Sequence, residues 1–320
     1  MVYQVVPLAG ADGFGAEVRG LTRADLARED VREALRRLWV DAGVIVFRCE
    51  GVDSDFQIEL SRVFGPLEKH TMAELHVDGR DELVRIGYRP EAGIVYEVKG
   101  EPQASWIPFH SDLTYVERIN HGGILRAITL PSRGGQTRFI DRIAAYQRLP
   151  DDLKERIEDL RVVYRMKIMV SPEVHRYTAA EPFRLLRAAP FMESVAARED
   201  ADYPPVTHPL VYRQPETGRK VLNLSPLFAM AVEGMDPAES HELLTRLSRH
   251  LTSAEAIYEH QWGYGDMVLW DNWRIVHGVN GSPVDEVREM WRTTIEGDYA
   301  LGRRCAEVEG VNGLCRITAR

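Results

Sequence analysis

The chain has 320 residues, with 40 Lys and Arg against 49 Asp and Glu and a formal net charge of −9 at pH 7. That acidity argues against nucleic acid as a main partner, because phosphate binding rests on a basic face, and no apolar run approaches the ~20 residues that cross a bilayer. Hydrophobic residues at 44% and charged residues at 28% suit a globular protein with a sizeable core, and one domain over 1–320 is expected.

The opening MVYQVVPLAGADGFG lacks the basic and then apolar pattern of a secretory leader. Cys49, Cys305 and Cys315 show no paired-ligand spacing, which fits a reducing cytoplasm. In EDVREALRRLWVD, Val31, Leu35, Leu38 and Trp39 recur at helical spacing, and GVIVFR then reads as a buried strand. Asp53 and Ser54 are placed to cap a second helix that Gly65-Pro66 ends. Between Ser105 and Arg138 the pattern is strand-like, with PSRGGQ as a turn. Helical patterns return in RIAAYQRL and DDLKERIEDL. The stretch 166–205 has scattered prolines and poor periodicity, which predicts a long loop, either an active-site lid or a loop insertion. THPLVYR, QPETGRK and VLNLS read as a hairpin, DPAESHELLTRLSRHLTS as an amphipathic helix, and YEHQWGYGDMVLWDN with EVREMWRTTIEGD as further strands.

The chemistry is concentrated in WIPFHSDLTY. Residues two apart on a strand face the same side, so His110 and Asp112 can reach one metal ion. Alone, such a tripeptide equally suits two solvated residues at a strand end. His277, which follows VLWDNWRIV, adds a second imidazole. Two imidazoles and one carboxylate on one face of an ion suit non-haem Fe(II) and oxygen. Arg288, Met290, Arg292 and Thr294 share strand parity, so two arginines would point inward together. A buried arginine needs an anion, which an internal carboxylate or a small dicarboxylate could supply.

On PLAGADGFGAEVRGL, FGPLEKH, WIPFHSDLTY, PSRGGQTRF, THPLVYRQPETGRKVLN, WDNWRIVHG and REMWRTTIEGD, the chain resembles the TauD/TfdA family of Fe(II)- and 2-oxoglutarate-dependent dioxygenases. The resemblance implies a mostly β, α+β fold, with a double-stranded β-helix (jelly roll, cupin-like) core and flanking helices. It implies His110, Asp112 and His277 as iron ligands, Arg292 and Thr137 as the grip on the C5 carboxylate of 2-oxoglutarate, and Arg288 as a second arginine nearby. Fe(II), 2-oxoglutarate and O2 would act on a small, anionic organic substrate, with succinate and CO2 released. Because Asp112 is present, hydroxylation is expected, with or without later cleavage or desaturation, rather than halogenation.

In the same resemblance His70 is a substrate contact, but Ala73 stands where taurine-type members carry a tyrosine. Tyr96, Trp106 and Phe228 are candidate pocket walls, and Arg176, His175 and Arg184 are candidate anion contacts. A homo-oligomer, dimer or tetramer, is implied. Two other readings stay open: a non-catalytic cupin-like metal- or ligand-binding barrel, and an amino-acid-derivative oxidase of a biosynthetic pathway. A zinc hydrolase would leave Arg292 and Thr137 unexplained.

Overall fold

The computed structural model describes residues 3–69, 75–178 and 182–305. The fold is mostly β, with helices on the outside. The larger sheet has eight strands, in the spatial order Gln4–Pro7, Ala16–Arg19, Val44–Arg48, Met267–Asp271, Gly122–Thr129, Arg288–Ile295, Arg80–Tyr88 and His76–Val77. A four-stranded sheet runs Ile257–His260, Thr137–Asp141, Ile275–Val279 and Ile107–His110.

Strand alternation explains how these sheets pack. Leu125, Val268 and Met290 from the large sheet meet Phe139, Tyr258 and Ile275 from the small one in a single buried cluster. Outward-facing Ile45, Phe47, Ile124 and Ile295 pack instead on Leu35, Trp39, Phe56 and Leu60 of two helices. On the far side of the small sheet, Ile140 and Val276 pack on Tyr146, Leu153 and Leu247. Each such aliphatic or aromatic side chain, once fully buried, contributes roughly 1.5–3 kcal/mol.

The Glu29–Ala42 helix buries Val31, Leu35 and Trp39, and Glu29 and Asp30 sit in its first turn, where the helix dipole favours them. It ends at Gly43, whose φ is +74°; a Cβ there would come within 3.0 Å of Arg274 Nε. That close approach lets Arg274 Nη1 donate to the helix-terminal carbonyls of Val40 and Asp41, while Nη2 pairs with Asp141 at 2.8 Å. The Ser54–Ser61 helix starts as expected, with the Asp53 carboxylate accepting from Phe56 N at 2.7 Å.

Three local expectations change. Segment 166–205 is more regular than its composition suggests: Phe183–Arg187 is a strand paired with Val95–Val98, and two short helices follow. Its partner strand is remote in sequence, so no local periodicity announces it. The hairpin is confined to Val211–Arg213 and Lys220–Leu222, because Val206–Pro209 pairs with Arg161–Tyr164 instead. The strand Ile107–His110 stops before Asp112. No helix among the described residues is long and apolar enough to cross a membrane.

Candidate active site

His110 and His277 are cross-strand partners in the small sheet, with ring centroids 4.3 Å apart. His110 Nε2 lies 3.7 Å and His277 Nε2 3.9 Å from Asp112 Oδ1. One ligand atom from each of these three residues can be chosen so that all lie within 4.8 Å of one another. His110 Nδ1 is 2.9 Å from Pro108 O. With Nδ1–H donating there, the Nε2 lone pair is free to face the cluster.

Asp112 is in a turn, so its convergence on the histidines needs another cause than strand alternation. Asn272 supplies it. Asp112 N donates to Asn272 Oδ1 at 2.8 Å, and Asn272 Nδ2 donates to Asp112 O at 2.9 Å. Arg142, fully buried, in turn donates from Nη2 to Asn272 O at 2.9 Å. Sequence reasoning missed Asn272 and Arg142, although Asn272 lies in the WDN run just before the His277 strand.

Burial and the neighbouring His110 imidazole hold His277 down at about 3, so it is neutral, as a metal ligand must be. Burial opposes the Asp112 charge, but the Arg292 guanidinium, with hydrogen bonding from His110, outweighs it and keeps the carboxyl well below the usual range. Two imidazole nitrogens and one carboxylate oxygen fit an Fe(II) ion with an open face.

The two arginines share the inward face but differ in surroundings. Arg292 Nη1 donates to Asp112 Oδ2 at 3.3 Å. Arg288 is 3% exposed, donates from Nε to Gly135 O at 3.2 Å, and leaves Nη2 buried with no acceptor. Burial alone pulls Arg288 down to about 10, with no carboxylate opposing it. Thr137, on the next sheet, is buried and accepts from Trp262 Nε1 at 3.1 Å, which leaves its own hydroxyl proton for another acceptor.

A cavity of about 470 Å³ opens beside His110, Asp112 and Arg292. Its apolar wall includes Leu113, Tyr115, Tyr203 and Phe228. The Tyr115 ring lies 4.9 Å from Phe228 and 5.3 Å from Tyr203, both edge-on. The other candidates are not brought to this cavity. Tyr96 and Trp106 pack with Phe183. Arg176 is exposed and donates to Glu173 O, Arg184 pairs with Glu97, and His175 is buried against the carbonyls of Ser171 and Lys167. His70 and Ala73 lie outside the described residues.

Mixed imidazole and carboxylate donors on facing β-sheets define a candidate metal-binding site as a class. The chain belongs to the taurine catabolism dioxygenase TauD, TfdA family, whose model matches residues 4–294. It is 32% identical over 302 residues to an (S)-phenoxypropionate/alpha-ketoglutarate-dioxygenase of Sphingobium herbicidovorans, covering 93% of this chain and 96% of that one. It is 31% identical over 295 residues to an alpha-ketoglutarate-dependent 2,4-dichlorophenoxyacetate dioxygenase of Cupriavidus pinatubonensis, covering 90% and 96%. A crystal structure of a taurine dioxygenase from Burkholderia xenovorans superposes with a TM-score of 0.68 at 28% identity, covering 93% and 90%. The protein is therefore an Fe(II)- and 2-oxoglutarate-dependent dioxygenase that uses O2.

Proposed function

We propose that His110, Asp112 and His277 hold the iron, and that the protein oxidises a small anionic organic molecule with an apolar body. The convergence of two imidazoles and one carboxylate beside a cavity carries this reading. Iron, 2-oxoglutarate and O2 together supply the oxidant for a C–H bond, with succinate and CO2 released. The residues of the chain provide placement and charge. Arg288 is the favoured grip on the far carboxylate of 2-oxoglutarate, because it is buried with Nη2 unpaired and no carboxylate beside it, whereas Arg292 already meets Asp112, and the Thr137 hydroxyl is free to donate alongside it. This exchanges the roles that the motif alone suggests for the two arginines. Arg292, beside Asp112 and on the wall of the cavity, then serves the substrate side.

Two of the relatives named above are dioxygenases of phenoxypropionate and 2,4-dichlorophenoxyacetate, and a phenoxy acid matches what lines the cavity here. Tyr115, Tyr203 and Phe228 accept a flat body and Arg292 an anionic head. The two facing sheets are consistent with a double-stranded β-helix within one domain over 1–320. The exposed Phe191 and Leu186 of segment 166–205 fit a lid that closes on substrate. The half-buried free thiol of Cys49 suits a reducing cytoplasm.

A panel of phenoxy acids, sulfonates, alkyl sulfates and N-acyl amino acids, scored by succinate formation, tests the substrate class. Phenoxy acids should stimulate succinate release above the substrate-free rate. Stimulation by neutral analogues alone would overturn the anionic reading.

A further inference from the structure

The side of the small sheet turned away from His110 and His277 carries another cavity, of about 520 Å³. Alternation determines which side chains reach it. Thr137 and Phe139 point inward, so Arg138 points out; His110 points inward, so Phe109 points out. Arg138 is in register with Gly278, which has no side chain, and its guanidinium crosses there to lie 4.5 Å above the Phe109 ring. A Cβ at Gly278 would stand 3.0 Å from Ile107 O and 3.4 Å from Phe109 Cδ1, so the crossing depends on glycine.

Arg138 is half-buried, and its Nε has no acceptor. The acid whose charge acts on it, Glu259, sits opposite it in register but accepts from Asn280 Nδ2 at 3.2 Å. Burial lowers the Arg138 pKa, and Glu259 only partly offsets this. A guanidinium taken partly out of water without a carboxylate partner gains most from an anion with two coplanar oxygens. Around it the cavity offers the aromatic rings of Phe109 and Trp106 and the polar side chains of Gln103, Thr178 and Asn280.

We propose that this cavity binds a small organic monocarboxylate with a flat apolar body, its carboxylate on Arg138 and its body against Phe109 and Trp106. Arg138 and Lys99 against Glu101 leave one net positive charge among the lining residues, which with two aromatic walls calls for one negative end. Glu101 on the rim disfavours a second carboxylate. The site lies on the opposite face from the metal cluster, yet it touches Pro108, whose carbonyl is hydrogen-bonded to His110 Nδ1. An occupant is thus one residue from the contact that orients a proposed iron ligand, which makes this a place where a carboxylate can tune the metal site.

Benzoate is the probe, titrated anaerobically into protein saturated with Fe(II) and 2-oxoglutarate and followed by tryptophan fluorescence. The wild type and Arg292→Gln bind it saturably with equal affinity. Arg138→Leu weakens binding by about tenfold or more, as expected for loss of a charge-assisted pair, and Arg138→Lys falls between. Succinate does not compete. Full affinity in Arg138→Leu, loss of binding in Arg292→Gln, or no saturation below about 10 mM overturns the proposal. If circular dichroism finds Arg138→Leu unfolded, Arg138→Lys decides, and wild-type affinity in that variant counts against the site.

Discussion

The side-chain amide of Asn272 meets both the backbone N–H and the backbone carbonyl of Asp112, as a neighbouring strand would. It extends sheet-like order to a residue lying beyond the end of its own strand. Asn272→Ala removes both bonds and leaves the carboxylate poorly placed. Support of this kind for a metal ligand typically contributes 10- to 100-fold, so Fe(II) affinity should fall by about that factor. Equilibrium metal titration checks it, and unchanged affinity would remove the positioning role.

Asp112→Ala goes further and deletes a proposed ligand. The variant is expected to keep its fold, since Asp112 contributes no apolar core, and to lose substrate-coupled oxidation. Anaerobic addition of Fe(II) and 2-oxoglutarate gives the weak visible charge-transfer band of the chelate in the wild type and little or none in the variant. A band of wild-type intensity would take Asp112 out of the ligand set.

The two arginines make opposite predictions. Arg288→Gln should raise the KM for 2-oxoglutarate by roughly tenfold or more, the range for loss of a hydrogen-bonded charge pair. Arg292→Gln should act mainly on the KM for the organic substrate. If Arg292→Gln proves the more damaging for 2-oxoglutarate, the motif-based assignment is the right one.

Trp262 acts through Thr137 and need not touch cosubstrate itself. With Trp262→Phe the Thr137 hydroxyl loses the bond that orients it. Removing one neutral hydrogen bond predicts a roughly two- to tenfold rise in the KM for 2-oxoglutarate, with kcat unchanged. A fall in kcat at constant KM would point to general structural damage.

His208 couples stability to pH. It is fully buried, its Nε2 is 2.9 Å from Val116 O, and burial holds its pKa down at about 4. Between pH 6.5 and 4 the unfolded chain therefore binds a proton that the folded protein refuses, so stability falls as pH falls. The full loss below pH 4 is about 3 kcal/mol from this group. Denaturant unfolding of wild type and His208→Gln across that window should give a flatter pH slope for the variant; parallel slopes would refute the assignment.

Much of the site was legible because it rests on local backbone properties. Strand parity puts Arg288 and Arg292 on one face whatever the rest of the chain does, and the helical spacing of Val31, Leu35 and Trp39 needs only their own segment. The family motifs then suggested a donor set, whose three residues the fold brings together. Segment 166–205 and the hairpin boundary were less legible, since their pairing partners are distant in sequence.

The sequence by itself determined the class of chemistry: the residue types of a metal site, two arginines on one strand face, and membership in a dioxygenase family. Only the tertiary structure decided which arginine stands against Asp112 and which is buried with no carboxylate beside it. It also decided that Asn272 rather than a continuing strand carries Asp112 to the histidines. The physical reason is that desolvation and charge pairing depend on distances between residues far apart in the chain. Arg288 and Arg292 are two turns of the same alternation, but only the fold gives them different neighbours.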